Sequence, residues 1–177
     1  MNLYLVAVLP PEPVLGQVWA LKQEVHVRTG SRNAVRLPPH ITLIPPTRQP
    51  NEFEAEAAAA LEEFARSRSA ITVGLRNFSW FGKRTLFVQV VNAEPLLELH
   101  AALQAWCAHR LPTIQPENRP FTPHMTLATR DLPPSEVPKL QQEFNQREYA
   151  ATFEIKALQL FRHSGQQWEK IGEFTLN

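Results

Sequence analysis

The chain contains the same five-residue element twice. The segment 39–43 reads PHITL and the segment 123–127 reads PHMTL, so four of the five positions are identical and the fifth is apolar in both. Repetition of a short element, in a chain with two approximate strand–helix–strand units, predicts two structural units built on one plan. We therefore expect each unit to contribute one strand that carries one copy of the element.

Strand geometry gives each copy a polar side and an apolar side. Residues two apart on a strand point to the same face, so His40 and Thr42 project together while their neighbours enter the core. His124 and Thr126 have the same spacing in the second copy. If a pseudo-twofold axis relates the copies, two imidazoles and two hydroxyls face one bound group across a groove.

These four side chains suit a phosphodiester. Imidazole has an ordinary pKa near 6.5, so one histidine can accept a proton while the other donates one at neutral pH. Threonine hydroxyls can donate hydrogen bonds to the nonbridging oxygens, where negative charge develops. Zinc needs at least three protein ligands, and neither copy has a Cys, Glu or second His at ligand spacing. The sequence therefore predicts no metal and no cofactor.

Hydrophobic periodicity and proline positions predict the order β-α-β-α-β-β-α-β-α-β-β. The predicted strands are 2–9, 41–44, 70–78, 85–91, 122–128, 153–162 and 168–176. The predicted helices are 12–28, 51–66, 95–110 and 134–146. The length of 177 residues indicates one domain, although two small lobes that share a cleft are also compatible with it.

Composition limits the classes of function. With 44% hydrophobic and 20% charged residues the chain is typical of a soluble globular protein, and no apolar run approaches the roughly 18 residues of a membrane span. A net charge of +1 provides no broad field for long nucleic acid, so a nucleic-acid substrate would be bound locally. A single cysteine and an apolar N-terminus without a basic region or cleavage site predict a cytoplasmic protein.

The two motifs, their 84-residue separation, the opening NLYLVAVLPPEP and the closing LQLFRHSGQQWEKIGEF resemble the 2H phosphoesterase superfamily. The resemblance is strongest to its bacterial RNA 2',3'-cyclic phosphodiesterase branch, also called the 2'-5' RNA ligase family. It implies a bilobal α+β fold with pseudo-twofold symmetry, in which two antiparallel sheets with outer helices enclose a central groove. Residues 1–177 would then form a single domain of two pseudo-symmetric lobes.

The resemblance also implies an activity. Its expected reaction is hydrolysis of a terminal 2',3'-cyclic phosphate to a 2'-phosphate, with His124 as base and His40 as acid. The expected partners are RNA ends or small nucleotide phosphodiesters, bound by a monomer with no obligate protein partner and no membrane contact. A 2',5'-phosphodiesterase, a 2'-5' RNA ligase and a non-catalytic nucleotide or RNA-end binding module remain alternatives.

Further candidate residues lie near the motifs. Many relatives carry an arginine five residues after the second histidine, whereas Arg130 lies six residues after it. A shift of one residue changes sides on a strand, so Arg130 is either a phosphate ligand or an exposed charge. Phe121 could stack on a nucleobase or pack in the core. The roles of Arg162 and His163 are left open.

Overall fold

The computed structural model, which describes every residue from Met1 to Asn177, contains eight strands and four helices. The strands are β1 (Asn2–Val8), β2 (Ile41–Gln49), β3 (Ile71–Phe81), β4 (Thr85–Val91), β5 (His124–Ala128), β6 (Ala150–Ile155), β7 (Ala157–His163) and β8 (Trp168–Thr175). The helices are α1 (Val14–Thr29), α2 (Phe53–Arg66), α3 (Glu94–Arg110) and α4 (Val137–Phe144), with short 3-10 turns at Ala34–Arg36 and Pro134–Glu136. No helix combines the length and the apolar character needed to cross a membrane.

The strands form two four-stranded antiparallel sheets. The first sheet has the order β2-β1-β7-β8 and the second sheet has the order β5-β4-β3-β6. The edge strands β2 and β5 lie beside each other, so the two sheets meet at the strands that carry the repeated element. The predicted α+β fold with duplicated antiparallel sheets is confirmed.

Strand β2 is longer than its sequence predicts. The sequence places its end at Ile44, because Pro45 and Pro46 follow, but the strand continues to Gln49. Proline has no N–H to donate, which an edge strand tolerates on its unpaired side. The register shifts between the pairs Tyr4–Thr47 and Val6–Ile44, so a bulge accommodates the two prolines.

The predicted strand 153–162 is two strands in different sheets. The chain leaves β6, which pairs with β3, and after Lys156 enters β7, which pairs with β1. Both pieces are rich in apolar residues, so the sequence shows one continuous strand pattern and no signal for the crossover. This crossover joins the two lobes late in the chain.

A bulge in β3 determines which side chains of the β3–β4 hairpin face the core. The register moves from Leu75 opposite Val90 to Phe78 opposite Val88, and Asn77 within this step has a φ of 55°. The amide N–H and the Oδ1 of Asn77 both bond the backbone of Tyr149. The extra residue keeps Phe78 in the core after the bulge.

Each sheet turns one face towards the helices, and these faces share one apolar core. Helix α2 lies against β7 and β8, and α1 lies against β5. Phe144 of α4 packs edge-on against Phe78 of β3, with ring centroids 4.9 Å apart. We call the opposite face of each sheet the groove face. On the first sheet it carries a small separate apolar cluster of Leu5, Ala7 and Phe161.

Asp131 ties the segment after α1 to the end of β5. Its carboxylate accepts hydrogen bonds from the Ser31 hydroxyl at 2.7 Å and from the backbone N–H groups of Arg32 at 2.7 Å and Asn33 at 3.1 Å. Burial opposes its ionisation, but these donors outweigh burial and lower the pKa of Asp131. One carboxylate therefore couples the chain that precedes the first motif to the chain that follows the second.

We expect Asp131→Ala to reduce the free energy of unfolding by about 1 kcal/mol at pH 7, because three donors lose a charged acceptor whose interactions solvent partly screens. Since the folded-state pKa is depressed, this stabilisation is present above the ordinary aspartate pKa and is lost as the pH falls through the folded value. Urea unfolding from pH 3 to 7 measures it. Glu148→Ala, which removes an exposed carboxylate without hydrogen bonds, is the control. Equal stability of the two variants at pH 7 would contradict the role of Asp131.

Candidate active site

The repeated elements lie at equivalent places on the two adjacent edge strands. His40 immediately precedes β2 and Thr42 is its second residue, while His124 begins β5 and Thr126 is two residues further on. His40 and His124 are close enough that the charge of His124 contributes to lowering the pKa of His40. The structure thus brings both copies into one site.

Strand pairing places both threonines on the groove face. Thr42 lies opposite Ala7, which belongs to the apolar cluster on that face of the first sheet. Thr126 lies opposite Phe87, which is buried outside the main core. The alternating apolar residues of the two motifs are at most 1% exposed in that core: Ile41, Leu43, Met125 and Leu127.

Each motif histidine is held by the same backbone contact. The Nδ1 of His40 lies 2.7 Å from the carbonyl oxygen of Pro38, and the Nδ1 of His124 lies 2.7 Å from that of Thr122. A carbonyl can only accept, so Nδ1 carries the proton in both rings and donates it. In a neutral ring this leaves the Nε2 lone pair free to exchange a proton with a ligand.

The environment favours neutral imidazoles in the free protein. Burial and the Lys22 ammonium lower the pKa of His40 to about 4, although the Pro38 carbonyl opposes them. Burial also lowers the pKa of His124, against the opposing effect of the Thr122 carbonyl. A bound anion would raise both values, because it stabilises an imidazolium nearby.

Two phenylalanines of the β3–β4 hairpin form an aromatic wall beside His124. The ring centroid of Phe81 lies 4.8 Å from that of His124 in an edge-on arrangement, and that of Phe87 lies 5.2 Å away. Phe81 is 40% exposed, whereas Phe87 is buried. Sequence reasoning missed both as site residues, and its predicted strand ends at Phe78, before Phe81. The available signal was the aromatic-rich run Phe78-Ser79-Trp80-Phe81, whose composition favours continuation of the strand.

Arg130 follows a bulge that changes its side of the strand. The pairs Phe87–Thr126 and Leu86–Ala128 show one extra residue in β5, and Thr129 then shares a 2.8 Å hydrogen bond between hydroxyls with Thr85. Arg130 is exposed with a φ of 46°, and its carbonyl accepts a hydrogen bond from Arg84. Its role as a phosphate ligand stays a prediction.

Phe121 is partly buried and its ring stacks on the imidazole of His100. Their centroids are 3.7 Å apart and the ring planes differ by 10°. One face of Phe121 is therefore occupied within the protein. Stacking of a nucleobase on Phe121 stays a prediction, and the base would have to contact the ring face opposite His100.

Arg162 and His163 have structural contacts. Arg162 lies opposite core residue Tyr4 and bonds Glu54 of α2 and Glu169 of β8. His163 accepts a hydrogen bond from the Gly165 N–H through Nδ1, and its ring meets Trp168 edge-on. Arg162 thus connects α2 to the first sheet, and His163 closes the β7–β8 turn.

The arrangement brings together two imidazoles, which could transfer protons, and two hydroxyls, which could bind a phosphate. No three His, Cys, Asp or Glu side chains of the chain are grouped so that they could hold a metal ion. The motif side chains supply imidazole and hydroxyl donors, which suit an anion better than a cation.

Comparison with known proteins agrees with this geometry. The family model described as the 2'-5' RNA ligase superfamily matches residues 10–167. Two curated relatives are both named as a putative phosphoesterase. The one from Oceanobacillus iheyensis is 25% identical over 180 residues, covering 98% of this chain and 97% of the relative. The one from Bacillus pumilus is 29% identical over 100 residues, covering 55% of this chain and 56% of the relative.

Solved structures share the fold over nearly the whole chain. A Thermus thermophilus protein superposes with a TM-score of 0.71 at 22% identity, covering 99% of this chain and 98% of the other. LigT of E. coli, solved with 3'-AMP, gives a TM-score of 0.63 at 15% identity with the same coverage. With the family model matched over residues 10–167, the chain belongs to the 2'-5' RNA ligase superfamily of 2H phosphoesterases, as its paired motifs predicted.

Proposed function

We propose that this phosphoesterase hydrolyses RNA-type phosphodiesters without a metal, and that its substrate is a terminal 2',3'-cyclic phosphate, opened to a 2'-phosphate. His40 and His124 act as the acid–base pair in this proposal. The observation that carries it is the matched anchoring of the two imidazoles, each bonded through Nδ1 to a carbonyl two residues earlier.

The chemistry needs one proton acceptor and one proton donor. One imidazole takes a proton from the attacking water as its oxygen bonds to phosphorus, and the other gives a proton to the departing 3'-oxygen. Thr42 and Thr126 donate hydrogen bonds to the nonbridging oxygens, whose negative charge grows as phosphorus becomes five-coordinate. The division with His124 as base and His40 as acid stays a prediction from the family resemblance.

Substrate binding supplies the protonation state that this reaction requires. Both histidines are predominantly neutral in the free protein near pH 7, because burial lowers both pKa values. The negative charge of the bound phosphodiester favours one imidazolium beside it, while a second would be repelled by the first. When the substrate is bound, one histidine of the pair is therefore neutral and the other is protonated.

The aromatic wall supports a nucleoside as the group attached to the phosphate. The half-exposed ring of Phe81 lies beside His124, where a ribose-linked base could stack on it. E. coli LigT, which shares this fold, has been solved with 3'-AMP and with phosphate. Those ligands support a nucleotide substrate for this chain.

A second candidate is the 2',5'-phosphodiesterase or 2'-5' RNA ligase reaction on oligonucleotides. The family to which the chain belongs is described by that ligase activity. The same two histidines and two threonines could act on a 2',5' linkage, because proton transfer and phosphate binding are common to both reactions.

The first test measures turnover of nucleoside 2',3'-cyclic phosphates in the presence of a chelator from pH 5 to 8. We expect conversion to the 2'-phosphate, and we expect His40→Ala and His124→Ala each to lower kcat by about 10²–10⁴-fold. His109→Ala, on the exposed side of α3, is the matched control. Turnover of only a 2',5'-linked dinucleotide would favour the second candidate. Binding without turnover would indicate a non-catalytic module.

Thr126→Val tests phosphate binding while keeping the shape of the side chain. Loss of one hydroxyl bonded to an anion should weaken binding of inorganic phosphate by about tenfold. Titration followed by amide chemical shifts in β2 and β5 measures the affinity and locates the ion. Thr152→Val, an exposed threonine of β6, is the control. Equal affinities in the two variants would remove Thr126 from the phosphate site.

Phe81→Ala tests the aromatic wall. Loss of base stacking should raise KM for a cyclic nucleotide by about tenfold and change kcat little, because the ring meets the base and not the reacting phosphorus. Ribose 2',3'-cyclic phosphate, which has no base, is the control substrate and should react equally with both proteins. A similar loss on both substrates would show that Phe81 acts through His124 instead.

A further inference from the structure

A cleft of about 400 Å³ lies between the start of α1 and the segment that leads to the first motif. We call it the Trp19 cleft. One wall includes Leu15 and Trp19, and the other is formed by residues 35–39. Its volume lies in the range of about 300–1,000 Å³ that is usual for small-ligand sites. The Trp19 residue is 36% exposed, so the cleft offers an aromatic surface to a planar group.

Two charged side chains line the Trp19 cleft, and they do not pair with each other. Arg36 is exposed, and its guanidinium has neither an ion pair nor a hydrogen bond within the protein. One carboxylate oxygen of Glu12 accepts a hydrogen bond from the Gly16 N–H at 3.0 Å, which leaves its other oxygen as an acceptor. The cleft thus offers a surface for a ring, a cation for an anionic group and an acceptor for an N–H or O–H donor. A nucleotide carries all three complementary groups.

Lys22 holds the two walls of the cleft together. From α1 its Nζ donates to the carbonyl oxygens of Leu37 at 2.9 Å and Pro38 at 3.3 Å, and it lies 6.0 Å from the centroid of the Trp19 ring. The lysine is 1% exposed, so these contacts lie inside the protein behind the cleft. The walls are therefore positioned before a ligand binds, which reduces the conformational entropy lost on binding.

The Trp19 cleft adjoins the groove of the candidate active site. Leu37 lines the cleft and also packs against the apolar cluster on the groove face of the first sheet. The carbonyl of Pro38, on the same wall, accepts the hydrogen bond from His40 Nδ1 at 2.7 Å. His40 follows Arg36 by only four positions, so their Cα atoms are at most about 14 Å apart. A chain whose end phosphate lies between the histidines can therefore reach the cleft with its next nucleotide.

We propose that the Trp19 cleft binds the nucleotide that precedes the terminal one, so that the preferred substrate is the end of an RNA chain and not a free cyclic mononucleotide. A 2',3'-cyclic phosphate ends its chain, and every further nucleotide therefore lies on the 5' side of the terminal ribose. The base of the preceding nucleotide stacks on Trp19, and Arg36 binds the phosphate that links the last two nucleotides. Because every base has a face that can stack, the cleft selects for chain length and not for sequence. This inference rests on the proposed function.

The kinetic test compares kcat/KM for adenosine 2',3'-cyclic phosphate with that for the dinucleotide ApA that ends in the same cyclic phosphate. We expect the dinucleotide to be preferred by about 100-fold, because base stacking and one charge-assisted contact each contribute about tenfold. Trp19→Ala and Arg36→Ala should each lower this preference by about tenfold. Arg48→Ala, which removes an exposed arginine of β2, is the control for charge. Equal kcat/KM for the two substrates, or a preference that both variants keep, would overturn the inference.

A neutral linkage separates the role of Arg36 from that of Trp19. Replacement of the linking phosphate by methylphosphonate removes the charge that the guanidinium binds. Arg36→Ala should therefore reduce kcat/KM for the charged dinucleotide and change it little for the neutral one, whereas Trp19→Ala should reduce both equally. Equal effects of Arg36→Ala on the two dinucleotides would contradict its contact with the linking phosphate.

Binding of ApAp, a dinucleotide that ends in a 3'-phosphate and has no cyclic phosphate to open, tests the cleft without turnover. We expect the indole N–H resonance of Trp19 to shift with ApAp and to stay in place with 3'-AMP or inorganic phosphate, which fill only the groove. No shift with ApAp would overturn the inference, and so would an equal shift with 3'-AMP, which would indicate a separate nucleotide site. A protein that binds ApAp through Trp19 but turns over neither cyclic substrate would retain the cleft as a binding site and refute the proposed function.

Discussion

The site depends on the alternation of side chains along two adjacent edge strands. In β2 and β5 the apolar residues of each motif are almost completely buried in the main core, and this fixes the opposite face for the histidine and the threonine. A one-residue slip in either strand would exchange the two sets. The burial of Ile41 and Met125 therefore orients the histidine and threonine of each motif, so the same packing that forms the core also sets the geometry of the site.

The carbonyl contacts then give the two oriented imidazoles the same tautomer. Pro38 and Thr122 each direct the Nδ1 proton away from the groove, so a single tautomer is selected by the backbone before any ligand binds. Both carbonyls belong to the residue two before the histidine. The tautomer of each ring is therefore determined within a segment of three residues. The sheets need only bring the segments together, and the Asp131 contacts help to hold the two chain ends that flank them.

The sequence predicts the parts of this protein that follow local rules. Alternation within PHITL and PHMTL and the periodicity of the four helices identify the fold class and the paired motifs. Contacts distant in sequence follow no such rule. The chain changes sheets at Lys156 because β6 and β7 have different partners, and Lys22 meets Pro38 because α1 packs behind the motif. Phe81 reaches His124 only after the bulge at Asn77 sets the face of the hairpin.

A duplicated fold gives two similar histidines, whereas hydrolysis needs two different ones. Symmetry alone would leave each ring equally ready to accept or donate, and half of the bound complexes would then have the proton on the wrong side. Groups outside the repeat can make the two surroundings differ. Lys22 is a group that only the first motif contacts: it is 1% exposed, and its Nζ donates to the carbonyl oxygen of Pro38 at 3.3 Å. That contact distinguishes the surroundings of His40 from those of His124, whose carbonyl partner Thr122 is contacted by no lysine.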